Sequence, residues 1–309
     1  MSGKSITFIS VKGGVGKTTI SVNVAEELAE RVSGSDKVLV LDLDAQAGSS
    51  LYILGDDRLR QLEGKTLYHL MRAKLGGTRV NASEYVVQAG GSWSSRLYVL
   101  PGSARILEIE QELLARRGVW LLELRSVIEE LKREGFRYIF IDPPASFTLL
   151  SRAAIAACDY FLIPVIPDKL GLNALEFLKS DVFNNTIFEL AQARDTLGSH
   201  IELPICGGIF FNKVEPGTKG TFHEEMIERI KREVGKHRLY GKIPIPVYSS
   251  RLHNYIAYPK ALSNHVPVKK LKDDARKQAA EELAKFYEEF HEYVINDRAR
   301  GLDDSRLRR

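Results

Sequence analysis

The stretch Ser10-Val11-Lys12-Gly13-Gly14-Val15-Gly16-Lys17-Thr18-Thr19 follows an apolar run and precedes an amphipathic helical pattern. This order of strand, glycine-rich turn and helix is typical of a phosphate-binding loop. Glycines allow backbone N–H groups to face one point, and the start of the helix adds a partial positive charge there. We therefore expect Lys17 to contact the β- and γ-phosphates of a nucleotide, and the Thr18 hydroxyl to bind Mg²⁺. A turn that only joins a strand to a helix does not explain this many matching positions.

The composition is that of a globular protein. Of the 309 residues, 44% are apolar and 27% are charged, which is ordinary for a folded chain. The two cysteines, Cys158 and Cys206, lie far apart in apolar stretches, so they predict buried thiols and neither a disulfide framework nor a metal site. No apolar run is long enough for a membrane span and no secretory signal is recognised, so we expect a cytoplasmic protein. The net charge of +4 permits binding to a polyanion without requiring it.

Two carboxylates follow the second predicted strand. The run Lys37 to Leu43 is apolar on both faces, as in a central parallel strand covered by helices. Asp42, Asp44 and Gln46 come at its end, and open α/β sheets bind their ligands at the carboxyl ends of strands. The alternative for these carboxylates is a helix cap and a turn. We expect a role at the nucleotide site.

A third acidic position has the form of a Walker B motif. The predicted strand Phe136 to Ile141 is followed by Asp142, and then by Pro143-Pro144, which cannot extend a ladder. A carboxylate at a strand end beside the phosphate loop can hold Mg²⁺ through water. Asp142 and Thr18 are thus the predicted metal-binding residues.

The remaining pattern alternates strands and helices. Such alternation predicts an α/β fold, a doubly wound and mostly parallel sheet with helices on both faces, as in P-loop NTPases. A single domain over residues 1–295 and a polar basic tail over 296–309 are expected. The further predicted segments are helices at Thr66 to Leu75, Ile106 to Leu114, Trp120 to Leu131 and Asp273 to Ile295, and strands at Leu97 to Leu100, Phe161 to Val165 and Ile205 to Phe211.

The loop departs from the general P-loop, since Val11 stands at its first glycine and a second lysine, Lys12, precedes the double glycine. The form K-G-G-V-G-K-T-T resembles the deviant Walker A motif of the ParA/MinD family of ATPases. The segment D-L-D-A-Q-A-G-S-S at 42–50 resembles the second nucleotide motif of that family, with Ala45 in place of a proline. The resemblance to ParA/Soj-type partition ATPases extends from Ile6 to about Val268.

The resemblance assigns roles to individual residues. It implies that Lys12 contacts the nucleotide of a facing subunit, that Asp44 positions or activates the attacking water, and that Asn212 and Pro244 lie near the adenine. The catalytic residues that it implies are Lys12, Lys17 and Asp44. The implied cofactor-binding residues are Gly13, Gly14, Val15, Gly16, Lys17, Thr18, Thr19, Asn212 and Pro244.

The resemblance also implies a function. The implied protein is a slow ATP- and Mg²⁺-dependent switch that forms a homodimer in the ATP state and binds DNA without sequence preference. A ParB-like or adaptor protein would stimulate its hydrolysis of ATP. Such a protein segregates or positions plasmid, chromosome or other cargo and is associated with the nucleoid. The expected DNA-binding cations are Lys213, Lys219, Lys242, Arg251, Lys260, Lys269 and Lys270.

Other functional classes use the same loop. A MinD-like positioning or regulatory ATPase without DNA affinity remains open, but the tail over 296–309 has too few large apolar residues for a membrane-binding helix. A P-loop biosynthetic enzyme also remains open. A nitrogenase-type reductase is disfavoured because Cys158 and Cys206 do not fall at its cluster positions, and an arsenite-type pump would need a second nucleotide domain.

Overall fold

A computed structural model describes residues 3–10, 12–115, 120–172, 182, 185–197, 202–215, 222–236, 238–239 and 243–300. Within these residues the chain forms an eight-stranded sheet in the order β10-β7-β6-β1-β5-β2-β4-β3, and a separate pair, β8-β9. All neighbours in the large sheet are parallel except β3 and β4. The predicted doubly wound, mostly parallel fold is confirmed.

The strands are short, and helices cover the faces of the central sheet. They are β1 Lys4–Phe8, β2 Lys37–Asp42, β3 Val87–Gln88, β4 Leu97–Leu100, β5 Phe136–Asp142, β6 Tyr160–Val165, β7 Ile205–Val214, β8 Arg238–Leu239, β9 Ile243–Pro244 and β10 Val247–His253. The helices are α1 Lys17–Arg31, α2 Gly48–Leu54, α3 Asp56–Gln61, α4 Leu67–Leu75, α5 Ile106–Ala115, α6 Trp120–Arg133, α7 Leu149–Ala157, α8 Phe188–Leu197, α9 Phe222–Gly235, α10 Ala257–Ser263 and α11 Arg276–Phe290.

The apolar residues of the strands divide between two cores. One face packs against α4, α5, α6, α7 and α9. The other face packs against α1, α2, α10 and α11, where Phe140, Phe210, Phe286 and Phe290 are fully buried. Both faces of the central strands are therefore covered, which explains their nearly continuous apolar runs.

The order of the strands brings distant motifs to one edge. Strand β1 pairs with β5 and β6, and β5 pairs with β2, so the carboxyl ends of these strands lie side by side. In the register of β2 and β5, Asp42 is the direct partner of Asp142. The phosphate loop, the Asp42 to Asp44 segment and Asp142 thus meet at one edge of the sheet.

Two elements depart from the sequence expectation. The predicted helix Asp273 to Ile295 is an α-helix only over Arg276–Phe290, and residues His291–Ile295 form a π-helical turn. The strand Val247–His253 lies parallel to β7 and was not predicted, because its polar residues interrupt the apolar pattern. No helix among the described residues has the length and apolar character that crossing a membrane requires.

Candidate functional site

The phosphate loop joins β1 to α1 and takes its shape from two glycines. Gly14 and Gly16 have φ angles of 75° and 88°, which residues with a Cβ rarely adopt. At Gly16 a Cβ would also lie 2.3 Å from Nδ2 of Asn212. Helix α1 begins at Lys17, directly after Gly16, so the unpaired N–H groups of its first turn are available to an anion.

Asn212 supports the loop. It lies inside β7, which extends to Val214, and is only 3% exposed. Its Nδ2 donates to the carbonyl oxygen of Val15 at 2.7 Å. One N–H of the amide is thereby used on the loop backbone, and the contact with adenine that the resemblance implies for Asn212 stays a prediction.

Lys17 is held at the centre of the site. Its Nζ donates to Oγ of Ser10 at 3.1 Å, and the residue is 6% exposed. Burial lowers the pKa of Lys17, and the nearby charges of Asp142 and Asp44 oppose this shift. A buried ammonium group that has only one hydroxyl as a hydrogen-bond partner among the described residues is well placed to receive phosphate oxygens.

Thr18 and Asp142 form a pair of oxygen ligands. Oγ1 of Thr18 donates to Oδ1 of Asp142 at 3.1 Å. The other oxygen, Oδ2, is buried and has no hydrogen-bond partner among the described residues. Burial, and next the charge of Asp42, raise the pKa of Asp142 to about 7. An unpaired buried carboxylate oxygen beside a hydroxyl suits a hard cation such as Mg²⁺, so these residues fit the implied metal.

Asp42 has a structural role beside this pair. It is fully buried, and its Oδ2 accepts from the backbone N and the Oγ of Ser50, at 2.8 and 2.6 Å. Ser50 in turn accepts from the backbone N of Gly102 at 2.9 Å. A Cβ at Gly102 would lie 2.8 Å from Cγ of Asp42. Asp42 therefore anchors α2 and the end of β4, which fixes the segment that carries Asp44.

Asp44 lies at the same cavity as the phosphate loop. Its Oδ1 accepts from the backbone N of Gln46 at 2.9 Å, and its own N–H donates to Oδ1 of Asp42 at 3.1 Å. For its second oxygen, the described residues provide no hydrogen bond. The turn alternative thus accounts for one oxygen of Asp44, and the other is available to a ligand.

One cavity of about 440 Å³ joins most of the predicted site residues. It is lined by Gly14, Val15, Gly16, Lys17, Thr18, Thr19, Ile20, Asp44, Pro143, Ala145, Asn212, Lys213, His253, Asn254, Tyr258, Pro259 and Leu262. Gly13 lies next to it, where a Cβ would be 3.7 Å from Cβ of Ala145. The lining residues from 253 to 262 were not assigned to this site from the sequence, since no local motif marks them.

Pro244 is not among the residues that line this cavity, and its position near the adenine stays a prediction. It belongs to the pair of β8 and β9, opposite Arg238. The strand β10 follows it, begins at Val247 and runs parallel to β7. Pro244 precedes the amino end of β10, whereas its carboxyl end at His253 reaches the cavity.

Lys12 lies on the outer side of the loop. Its Nζ is 3.1 Å from Oδ2 of Asp168, and the two side chains are 40% and 28% exposed. Oδ1 of Asp168 accepts from the backbone N of Gly171 at 2.6 Å. An ion pair as exposed as this one contributes roughly 0–1 kcal/mol to the stability of the fold. Lys12 can therefore leave Asp168 with little loss of free energy. Asp168 was not singled out from the sequence.

Most of the predicted DNA-binding cations already have acidic partners. Arg251 pairs with Glu224 at 3.0 Å, and Lys260 pairs with Asp273. Lys269 pairs with Glu27 and Glu30, and Lys270 with Glu26 and Glu30. Lys213 lines the nucleotide cavity, while Lys219 and Lys242 lie outside the described residues. Four of the five described members of this set are therefore ion-paired with carboxylates in the monomer.

The pKa of Asp142 predicts how stability depends on pH without ligand. Since the folded-state pKa is raised, the native state binds a proton that the unfolded state releases, and stability falls as pH rises through about 7. From about pH 6 to about pH 8, the free energy of unfolding should fall by about 1 kcal/mol through this group. In Asp142→Asn this part of the pH dependence should disappear, as measured by urea unfolding at both pH values. An equal fall in the variant would contradict the assignment.

A phosphate loop, a strand-end aspartate and a buried lysine at the carboxyl edge of a parallel sheet define a P-loop NTPase site. The family described as AAA domain matches residues 3–190. The chain belongs to this family, and its recognition from the sequence as a ParA/Soj-type partition ATPase is confirmed. Members of the family are ATPases, and among solved structures of the same fold one contains ATP and another contains ADP and magnesium.

Two characterised relatives illustrate the similarity. The chromosome-partitioning ATPase Soj of Treponema pallidum is 28% identical over 75% of this chain and 79% of its own length. The maintenance of carboxysome distribution protein A of Synechococcus elongatus is 28% identical over 62% of this chain and 72% of its own length.

Solved structures show the same fold. McdA of Cyanothece in complex with ATP has a TM-score of 0.71 at 21% identity, covering 95% of this chain and 96% of that one. A plasmid partition protein of Borrelia burgdorferi bound to AMPPNP has a TM-score of 0.65 at 19% identity, covering 96% and 99%.

Proposed function

We propose that the protein is a Mg²⁺-dependent ATPase switch that dimerises in the ATP state and positions or segregates a cargo. The observation that carries this proposal is the arrangement around one cavity. Lys17 and Thr18 lie at the loop, Asp142 lies beside Thr18, Asp44 faces the same space, and Lys12 lies outside it. The loop N–H groups and Lys17 would bind the phosphates.

Thr18 and Asp142 would hold Mg²⁺, which neutralises charge on the β- and γ-phosphates when bound. Asp44 would orient the attacking water through its unpaired oxygen. Hydrolysis would be slow without a ParB-like or adaptor protein, because the ATP state of a timing switch must last. A partner could then complete the site and set the lifetime of the ATP state.

Lys12 should control dimerisation. A cation on the outer side of the loop can reach the nucleotide of a facing subunit. This contact stabilises the dimer only when a γ-phosphate is present. We expect Lys12→Ala to bind ATP normally and to stay monomeric. Sedimentation of wild-type protein, Lys12→Ala and the control Lys169→Ala, with and without ATP and Mg²⁺, measures this; Lys169 is an exposed lysine next to Asp168. An ATP-dependent dimer of Lys12→Ala would overturn the role in the facing subunit.

We further propose that the ATP dimer binds DNA without sequence preference. Such binding depends on phosphate contacts, so log affinity should fall by roughly 0.9 per contacted phosphate for each tenfold rise in salt. Duplex DNA affinity of Asp44→Ala with ATP, with ADP and without nucleotide, from about 50 to about 200 mM salt, tests this. Lys260→Gln should reduce the slope by about 0.9 if Lys260 leaves Asp273 for a phosphate.

The ion pairs of the predicted cations favour a second candidate, a positioning or regulatory ATPase without DNA affinity. Arg251, Lys260, Lys269 and Lys270 are each neutralised by carboxylates in the monomer. Absence of DNA binding by the ATP form of Asp44→Ala at low salt would establish this candidate. Nucleotide turnover that depends on a small molecule would instead indicate a biosynthetic enzyme.

A further inference from the structure

The nucleotide cavity has a second end, away from the phosphate loop. This end lies beyond Asn212 and is formed by His253, the last residue of β10, and by four residues that follow it, namely Asn254, Tyr258, Pro259 and Leu262. Asp44 and Pro143 mark the opposite end, where the γ-phosphate would lie. A nucleotide with its phosphates on the loop would therefore direct its ribose and base toward His253.

The chemistry of this end suits an aromatic base. Pro259 is exposed and Leu262 is 40% exposed, although both are apolar. Apolar side chains at the rim of a cavity are available to cover the face of a planar ring. Polar groups for the edge of the ring come from His253 and Asn254, which line the same space.

Glu282 of α11 fixes the orientation of His253. Its Oε2 accepts from the backbone N of His253 at 2.9 Å, and its Oε1 accepts from the hydroxyl of Tyr255 at 2.8 Å. Oε1 also lies 2.7 Å from Nδ1 of His253. A carboxylate only accepts hydrogen bonds, so Nδ1 carries the proton.

In the neutral ring, Nε2 is then a hydrogen-bond acceptor. Within the described residues it has no partner. Glu282 thus holds one ring nitrogen, Nδ1, and also the backbone N of His253, while the other ring nitrogen is left for a ligand. The imidazole thus offers a lone pair to whatever occupies this end of the cavity.

We propose that His253, oriented by Glu282, accepts a hydrogen bond from the exocyclic amino group of adenine and thereby selects ATP over GTP. Guanine carries a carbonyl oxygen at that ring position, so two acceptors would face each other and stay unpaired. A site built for one hydrogen-bonding group rejects the analogue that cannot supply it. The inference rests on the proposed function, because it requires a nucleotide in this cavity.

Three nucleotides that differ at this ring position test the hydrogen bond to His253 in the wild-type protein. These are ATP, GTP and purine riboside triphosphate, which lacks the amino group, and their dissociation constants are measured by calorimetry with Mg²⁺. We expect ATP to bind roughly 10- to 100-fold more tightly than GTP and about 10-fold more tightly than purine riboside triphosphate. In His253→Ala the three constants should agree within about threefold, since the residue that distinguishes them is gone.

Glu282→Gln tests the positioning role. The amide oxygen must face the backbone N–H of His253, because the amide NH₂ cannot accept from it. The NH₂ then donates to Nδ1, which moves the imidazole proton to Nε2 and turns that nitrogen into a donor. The preference for ATP over GTP should reverse, because Nε2–H can donate to the carbonyl oxygen of guanine, whereas a merely structural loss would only remove the preference.

Glu289→Gln is the matched control. Glu289 lies two turns further along α11 and accepts from the backbone N–H groups of Ser249 and Ser250 at 2.7 and 2.6 Å, but it does not line the cavity. In this variant the ratio of the dissociation constants for GTP and ATP should equal that of the wild type. Thermal melting of each variant shows that the fold is retained.

The outcomes are distinguishable. Equal binding of ATP and GTP by the wild type, or an unchanged preference in both His253→Ala and Glu282→Gln, would overturn the role of His253 and leave the proposed function standing. A wild-type protein that binds none of the three nucleotides would overturn both.

Discussion

Lys17→Ala should lose nucleotide binding. Lys17 is 6% exposed, and its Nζ has only the hydroxyl of Ser10 as a hydrogen-bond partner among the described residues. Replacing it removes a buried cation at the phosphate loop, and a charge-assisted contact of this kind is worth about 1.5–3 kcal/mol or more. We therefore expect the dissociation constant for ATP to rise by about 100-fold or more.

The apo fold should survive this change. Burial lowers the pKa of Lys17, so the ammonium group is costly to the folded protein when no phosphate is present. The melting temperature of Lys17→Ala without ligand should equal or exceed that of the wild type, while the rise caused by ATP and Mg²⁺ disappears. Lys12→Ala, in the same loop but partly exposed, is the control and should keep ATP affinity within about threefold. Retained affinity in Lys17→Ala would reject the phosphate site.

The sequence predicted the phosphate end of the site well because its information is local. The loop needs glycine at Gly14 and Gly16 for positive φ angles, and the lysine and threonine follow at once. The two acidic segments were also recognised, since Asp42 and Asp142 each end an apolar strand. Their direct pairing across β2 and β5 follows from the strand order, which a doubly wound sheet makes predictable.

The far end of the cavity could not be predicted in the same way. His253 receives its orientation from Glu282, a residue on a different element, and no spacing in the sequence indicates that they meet. The strand β10 was missed for a related reason, because Ser249, Ser250 and Arg251 interrupt its apolar pattern.

Charge was the least predictable property. The lysines after Phe211 were counted as candidates for one basic surface, yet Lys269 and Lys270 bind Glu27, Glu26 and Glu30 on α1. These acidic residues lie more than two hundred positions earlier in the chain. Sequence gives the number of cations, whereas tertiary packing decides which of them remain available to a polyanion.

Asp44→Ala should bind ATP and fail to hydrolyse it. Asp44 faces the cavity, where its Oδ1 accepts from the backbone N of Gln46 and its other oxygen has no partner in the described residues. A carboxylate that orients or activates water contributes mainly in the transition state. We expect kcat to fall by roughly 100- to 10,000-fold while the dissociation constant for ATP changes by less than about threefold.

Asp44→Asn separates chemistry from structure in this experiment. Asparagine keeps an oxygen that can accept from the backbone N of Gln46, so the turn that follows β2 is retained, but it removes the negative charge. Both variants should therefore lose turnover alike, measured as phosphate release, and both should accumulate an ATP-bound dimer in sedimentation. If Asp44→Asn hydrolyses ATP at the wild-type rate and only Asp44→Ala is impaired, Asp44 shapes the turn and another group positions the water. Wild-type turnover in both variants would remove Asp44 from the reaction.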